Sequence, residues 1–172
     1  MNLKDHIRQI PDFPKPGINF FDISTLIGHP KAWKTAIDDL ADALRDYDAD
    51  YIAGIDARGF LVAAPLGIAL DCGVMMIRKK GKLPGETKSH SYDLEYGTDA
   101  IEIQHDAVKT GDKVIIVDDL LATGGTLAAA VALLKNSGAE VTAAACLIEL
   151  SFLKGRAKID LPCHTLVTYD SE

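Results

Sequence analysis

The chain is poor in cysteine, in aromatic residues and in long apolar runs, and each shortage closes off a class of protein. Its three cysteines, Cys72, Cys146 and Cys163, are odd in number and widely spaced. They make neither a disulfide framework nor a zinc signature, which leaves buried, reduced thiols. The longest apolar stretches, Phe60 to Leu70 and Ala143 to Leu150, fall far short of the roughly 20 residues that a membrane helix needs. Met1-Asn2-Leu3-Lys4-Asp5-His6 has neither the apolar core nor the cleavage site of a secretory leader, so the expected compartment is the cytoplasm. No metal-ligand spacing links the five histidines. The familiar nucleotide loops, Gly-x-Gly-x-x-Gly and Gly-x-x-x-x-Gly-Lys-Ser/Thr, are both missing. A formal net charge of -7 argues against a chain whose main task is to coat nucleic acid.

What is present fits one soluble domain. The 172 residues are 48% hydrophobic and 25% charged, enough for a single sizeable core. The first thirty residues read as irregular, punctuated by Pro11, Pro14, Pro16 and Gly17. A helix then opens on Pro30, with Trp33, Ala36, Ile37, Leu40 and Leu44 on one face and Lys34, Asp38, Asp39 and Asp42 mostly opposite. From Tyr51 short apolar runs alternate with helical stretches. Strands are expected at 51–55, 74–77, 113–117 and 140–147, and helices at 60–70 and 126–135. This rhythm implies βαβ units, hence an α/β fold with a mainly parallel sheet flanked by helices. Residues 79–103 break it and read as a functional loop, the expected lid.

The most informative stretch runs from Val114 to Thr126. A buried strand ends at Val117 and delivers the carboxylate pair Asp118-Asp119 to the sheet's carboxyl edge, where ligands of open α/β sheets collect. Leu120 and Leu121 follow, and then Ala122-Thr123-Gly124-Gly125-Thr126. The two glycines permit a tight turn whose backbone N–H groups approach an anion at a helix start, and both threonines add hydroxyl donors. Carboxylates beside a phosphate cradle describe a ribose 5-phosphate site. The bland reading is a strand-to-helix turn with a solvated acidic pair.

Residues 114–126 resemble the signature of the type I phosphoribosyltransferases. Pro11-Asp12-Phe13-Pro14, Phe20, Asp22-Ile23-Ser24, Arg58-Gly59-Phe60, the run from Ile77 to Gly85, and Leu94-Glu95-Tyr96-Gly97 extend the resemblance, in order, to the adenine-using branch of that family. It covers nearly the whole chain as one domain, with an N-terminal base-binding hood over about 1–30 and a flexible lid over about 79–103.

The resemblance implies transfer of a 5-phosphoribosyl group from phosphoribosyl pyrophosphate to adenine, giving AMP and pyrophosphate. Asp118 and Asp119 would hold the ribose hydroxyls, and Ala122, Thr123, Gly124, Gly125 and Thr126 the 5-phosphate. Residues 78–88 carry five cations, among them Arg78, Lys79 and Lys82, against Glu86 alone, which suits a polyanionic leaving group. Their alternatives are a solvated basic turn or a nucleic-acid patch, the latter without interleaved aromatics. Arg58 would join them on the pyrophosphate; otherwise it is a surface ion pair. Mg2+ would ride on substrate oxygens and water. Glu95 would handle the proton at the base, its alternative being a solvated loop glutamate, and Tyr96 would help position the leaving group. The base would lie between Phe20 and Leu120, with main-chain groups of Asn19 and Phe21 reading its edge. Phe21 departs from the arginine common at that position, and core packing is its alternative. A homodimer is expected, with no nucleic-acid or membrane partner. Competing readings are a xanthine or guanine enzyme, and a regulator that senses phosphoribosyl pyrophosphate.

Overall fold

The computed structural model describes residues 1–94 and 96–171. Nine strands and four α-helices are laid down in chain order among them. β1 (Arg8–Ile10) and β2 (Phe20–Asp22) form a small antiparallel pair, followed by the single turn α1 (Ser24–Ile27). The long helix α2 (Pro30–Leu44) starts on its proline, and the His29 ring accepts a hydrogen bond from the Ala32 N–H at 3.2 Å. Its apolar stripe Ala36, Ile37, Leu40 and Leu44 is buried, and Lys34, Asp38, Asp39 and Asp42 face solvent, as the spacing predicts.

The main sheet holds seven strands. β3 (Tyr51–Ile55), β4 (Gly73–Lys79), β7 (Lys113–Leu121), β8 (Glu140–Leu150) and β9 (Cys163–Tyr169) run parallel in the order β4-β3-β7-β8-β9. The antiparallel hairpin β5 (Thr87–Asp93) and β6 (Thr98–Gln104) extends the β4 edge. Helices α3 (Gly59–Leu70) and α4 (Gly125–Asn136) supply crossovers. Alternate strand residues serve opposite layers. Ile52, Ile115 and Val117 pack with α2 and α3, whereas Ala53, Val114 and Ile116 pack with α4 and the hairpin. This is the expected mainly parallel sheet covered on both faces by helices.

Four expectations change. The first thirty residues are not irregular throughout: Arg8 and Asp22 form an ion pair across β1 and β2. Asp22 also accepts from the Ser24 N–H at 2.9 Å, and these bonds, Ser24 foremost, lower its carboxyl to about 2. Residues 79–103 are largely a β-hairpin rather than a loop, because Thr87–Asp93 finds a full antiparallel partner in 98–104. β7 does not end at Val117 but continues to Leu121, since β8 goes on pairing with it. β9, in a stretch of mixed polarity, has no counterpart in the sequence reading.

Candidate active site

The order of the parallel strands creates the crevice. Successive crossovers lead from β3 to β4 on one side and from β7 to β8 on the other, so the winding reverses between β3 and β7. At such a reversal the loops beyond the strand ends part and leave room for a ligand. β3 pairs with β7 only as far as Gly54 opposite Val117. Beyond that point Asp118 and Asp119 have β8 on one side and the crevice on the other.

On the β7 side, the chain turns through Ala122 to Gly125 directly into α4. Gly124 has a φ of +81°, a left-handed conformation that favours glycine. With Asp118 and the last residues of β7, Ala122 to Thr126 line a cavity of about 100 Å3. A neighbouring cavity of about 510 Å3 shares Thr123, Gly125 and Thr126 and adds Tyr92, Leu94 and Lys158. An exposed helix N-terminus with free N–H groups and threonine hydroxyls suits a phosphate.

On the β3 side, the chain leaves Ile55 through a cis Asp56–Ala57 peptide to Arg58 and the start of α3. α3 sits close against the sheet here: a Cβ on Gly59 would stand 2.9 Å from the Val117 carbonyl oxygen and 3.2 Å from the Asp118 carboxylate. Arg58 reaches across the crevice and donates through Nε to Asp119. Burial opposes the guanidinium's charge, but Asp119, with Asp118 and Asp22 behind it, outweighs that and holds its pKa above the ordinary value. Asp118 accepts from the Asp119 N–H at 2.8 Å. Burial, and then the neighbouring Asp119, push the Asp118 carboxyl well above the usual range. One acid of the pair is thus tied to an arginine and the other is held reluctant to ionise.

The basic residues of 78–88 are less free than their count implies, because carboxylates distant in sequence meet them. Arg78 Nε lies 3.3 Å and Lys82 Nζ 3.5 Å from Asp56, and Lys79 pairs with Asp99. Burial works against the Asp56 charge, yet the Lys79 N–H and the Lys82 and Arg78 cations lower its pKa overall. Tyr92 joins the Lys79–Asp99 pair to the phosphate-type turn, its hydroxyl 3.5 Å from Asp99 and 3.3 Å from Thr126 Oγ1.

The hood supplies the remaining wall. Phe20 is half-buried, stacks edge-on against Phe13 at 5.2 Å between centroids and lies 5.7 Å below the Arg58 guanidinium. The Asn19 side-chain amide donates to Gln9 at 2.9 Å, while its Oδ1 is buried without a partner among the described residues. Phe21 is buried against Tyr169 at 4.2 Å, so its side chain belongs to the core, as its alternative reading held. Leu120 is half-buried on β7. Tyr96 is 87% exposed at the hairpin tip and touches none of these groups. Glu95 lies outside the described residues.

Residues 26–169 match the family model described as phosphoribosyl transferase domain. The chain belongs to the phosphoribosyltransferase family. It is similar to the adenine phosphoribosyltransferase of Acidiphilium cryptum, with 62% identity over 99% of each chain. The solved structure of the adenine phosphoribosyltransferase of Thermoanaerobacter pseudethanolicus matches with a TM-score of 0.94 at 49% identity, covering 97% of this chain and 98% of that one. That of Saccharomyces cerevisiae, complexed with an imino-altritol bisphosphate and adenine, matches at 0.91 with 42% identity, covering 95% and 96%.

Within this phosphoribosyltransferase the sequence reading had overlooked Asp56, Asp99 and Lys158 at the crevice. Asp56 was legible in principle, since it precedes Arg58 at a strand's carboxyl end. Asp99 and Lys158 are brought in by the hairpin and by the turn before β9, for which no local signal exists. Among the described residues, no cluster of three or more His, Cys, Asp or Glu side chains is built to hold a metal ion. With Asp119 tied to Arg58 and Asp118 reluctant to ionise, Mg2+ would be carried mainly by substrate oxygens and water. No helix among the described residues is long and apolar enough to cross a membrane.

Proposed function

We propose that the protein transfers the 5-phosphoribosyl group of phosphoribosyl pyrophosphate to adenine in purine salvage, giving AMP and pyrophosphate. One observation carries the reading: an acidic pair and a glycine turn at a helix start share the reversal crevice, with Arg58 reaching across it to Asp119. Relatives similar along their whole length are adenine phosphoribosyltransferases.

In this reading Ala122 to Thr126 hold the 5-phosphate and Asp118 and Asp119 hold the ribose hydroxyls. Arg58, Arg78, Lys79 and Lys82 face the pyrophosphate. A nitrogen of the base attacks the anomeric carbon with inversion as the carbon–oxygen bond breaks and its electron pair departs with pyrophosphate. Cations fixed in advance stabilise that departing charge without reorganising. Glu95 takes the proton that the attacking base must lose. Mg2+ held mainly by substrate oxygens and water would further neutralise the leaving group. Phe20 and Leu120 flank the base, and main-chain groups of Asn19 and Phe21 read its edge. The hairpin tip, with Tyr96, closes over the reacting groups and excludes water. The N-terminal hood and the lid are parts of one domain that acts in the cytoplasm.

The same reading includes a homodimer. α3 is apolar on its outer side as well as its inner one, leaving Leu61 48% and Ile68 86% exposed, continuous with Val74 and Met76 of β4. This face borders the crevice through Phe60, whose ring lies 5.7 Å from the Arg78 guanidinium. A second copy covers it. Ile68→Glu is expected to convert a dimer to a monomer in sedimentation velocity; an unchanged dimer would exclude this face.

A base-competition assay with Mg2+ and phosphoribosyl pyrophosphate tests the function. AMP is the expected product. Preferential GMP or XMP would replace adenine as the substrate, and tight phosphoribosyl pyrophosphate binding without turnover would indicate a sensor. In the same assay Glu95→Ala is expected to lower turnover about 100-fold while changing AMP affinity little. Unchanged turnover would remove Glu95 from proton transfer.

A further inference from the structure

Behind the glycine turn lies a segment that the scheme above does not use. After β8 the chain winds through two short turns, Ser151–Leu153 and Gly155–Lys158, before entering β9. Gly155 is buried, and its backbone abuts the glycine turn directly. A Cβ on Gly155 would overlap the Ala122 carbonyl oxygen and stand 2.9 Å from the Gly124 nitrogen. Conversely, a Cβ on Gly124 would overlap the Gly155 carbonyl oxygen and stand 3.0 Å from its carbonyl carbon. Two backbones meet without side chains between them, so the position of one sets that of the other.

Arg156 anchors this segment. Its Nε donates to Glu149 at 2.9 Å, a second nitrogen bonds the other carboxylate oxygen, and the guanidinium also reaches the Cys163 carbonyl and the Thr165 hydroxyl. Thr165 in turn donates to Glu149 at 3.0 Å. Glu149 is paired in register with Leu121, the residue before Ala122. A bidentate arginine–carboxylate pair is geometrically exacting, and this one ties β9, the 151–159 segment and the end of β7 into one frame. The same segment carries Lys158 to the wall of the larger cavity, beside Thr123, Gly125 and Thr126. Lys158 is the one cation among the described residues lining that cavity; the glycine turn brings none of its own.

We propose that residues 151–159 are the second half of the phosphate-binding site, with Gly155 as the positioning residue that sets the 122–125 backbone and Lys158 as a phosphate-binding residue. The inference rests on reading 122–126 as the 5-phosphate loop, and it extends the site to a segment outside the signature.

The reverse reaction, AMP plus pyrophosphate, separates the two phosphate subsites in one assay. Gly155→Ala is expected to raise KM for AMP about tenfold or more, with KM for pyrophosphate shifted less than about twofold. Lys158→Ala is expected to raise KM for AMP about fivefold at low salt, the difference shrinking as salt screens the charge. Arg156→Lys keeps the charge but loses the fork, and should move KM for AMP in the same direction. Calorimetric titration with AMP checks each value, and a melting curve checks each fold. Unchanged AMP affinity in active Gly155→Ala and Lys158→Ala proteins would overturn the inference alone. A parallel rise in both KM values with a lowered Tm would reduce Gly155 to general packing and overturn its positioning role. An unaltered protein that neither binds AMP nor converts it would overturn the functional reading, and the inference with it.

Discussion

Asp118→Asn is expected to cost most of the activity and yet to raise the melting temperature. The two effects share one cause. Asp118 is half-buried beside the buried Asp119, and desolvation first, then the neighbouring charge, push its carboxyl well above the ordinary range. An acid whose folded pKa exceeds its unfolded value weakens the fold as pH rises. Below the unfolded value near 4 the group is neutral in both states and carries no penalty. The penalty grows as pH climbs toward the folded pKa and is complete above it. Asparagine keeps the shape and has no charge to bury. The variant should therefore melt about 2–4 °C higher at neutral pH, the shift that roughly 1 kcal/mol produces in a domain of this size. The gap should close as pH falls toward 4. Activity moves the other way, because hydrogen bonds from hydroxyls to a carboxylate contribute about 1.5–3 kcal/mol, which is roughly 10- to 150-fold in rate. The double variant with Asp119→Asn should lose more, through ribose-phosphate affinity. Calorimetry from pH 4 to 8 beside kcat/KM for phosphoribosyl pyrophosphate reads both effects. Wild-type affinity in the double variant would refute the diol site, and a lower melting temperature for Asp118→Asn would refute the account of its burial.

Both the fold and the crevice were legible in the sequence to the extent that local chemistry encodes them. β3, α3, β7 and α4 were visible because buried parallel strands are continuous apolar runs and their helices are of full length. The turn at 122–126 was visible because adjacent glycines between a strand and a helix mean close approach of backbone to a ligand or to another segment. Here Gly124 serves the second purpose demonstrably, against Gly155. What escaped depends on partners far along the chain. The continuation of β7 through two aspartates is a property of β8, which keeps pairing with it as far as Glu149. The hairpin at 87–104 reads as a loop because its first strand, β5, is the edge of the sheet and is rich in polar residues such as Lys88, Ser89, His90 and Ser91. The apparent excess of positive charge on 78–88 vanishes in part once Asp56 and Asp99, one preceding and one following it, are placed beside Arg78, Lys82 and Lys79. Local composition could report the cations but not the carboxylates that meet them.

Arg58→Ala is expected to damage stability and activity together, and a second substitution should separate the two. Arg58 is half-exposed, but the Asp119 side chain it holds is almost wholly buried. Removing the guanidinium leaves Asp119 without its cation, next to Asp118 and within a strand it cannot leave. An unpaired buried carboxylate costs on the order of 3–5 kcal/mol when its partner is deleted, against about 0–1 for an exposed pair. Since one member is exposed and water can enter, the lower part of that span applies, roughly 1–3 kcal/mol. Asp119→Asn introduced with Arg58→Ala removes the stranded charge, so most of the lost stability should return. Activity should not return, because the double variant lacks both the cation that faces the pyrophosphate and a carboxylate for the ribose; kcat/KM should stay about 100-fold or more below the parent. Urea unfolding and kinetics on the parent, the two single variants and the double variant close the cycle. A coupling near zero in stability would mean that Arg58 and Asp119 are solvated independently and that the crevice is not organised by their contact. Stability restored together with activity would mean that Arg58 matters only for the fold. The combination of restored stability and lost activity distinguishes a residue that faces the substrate from one that merely supports the strand, and it is the outcome that the position of Arg58 between Phe20, Asp119 and the reversal of the sheet requires.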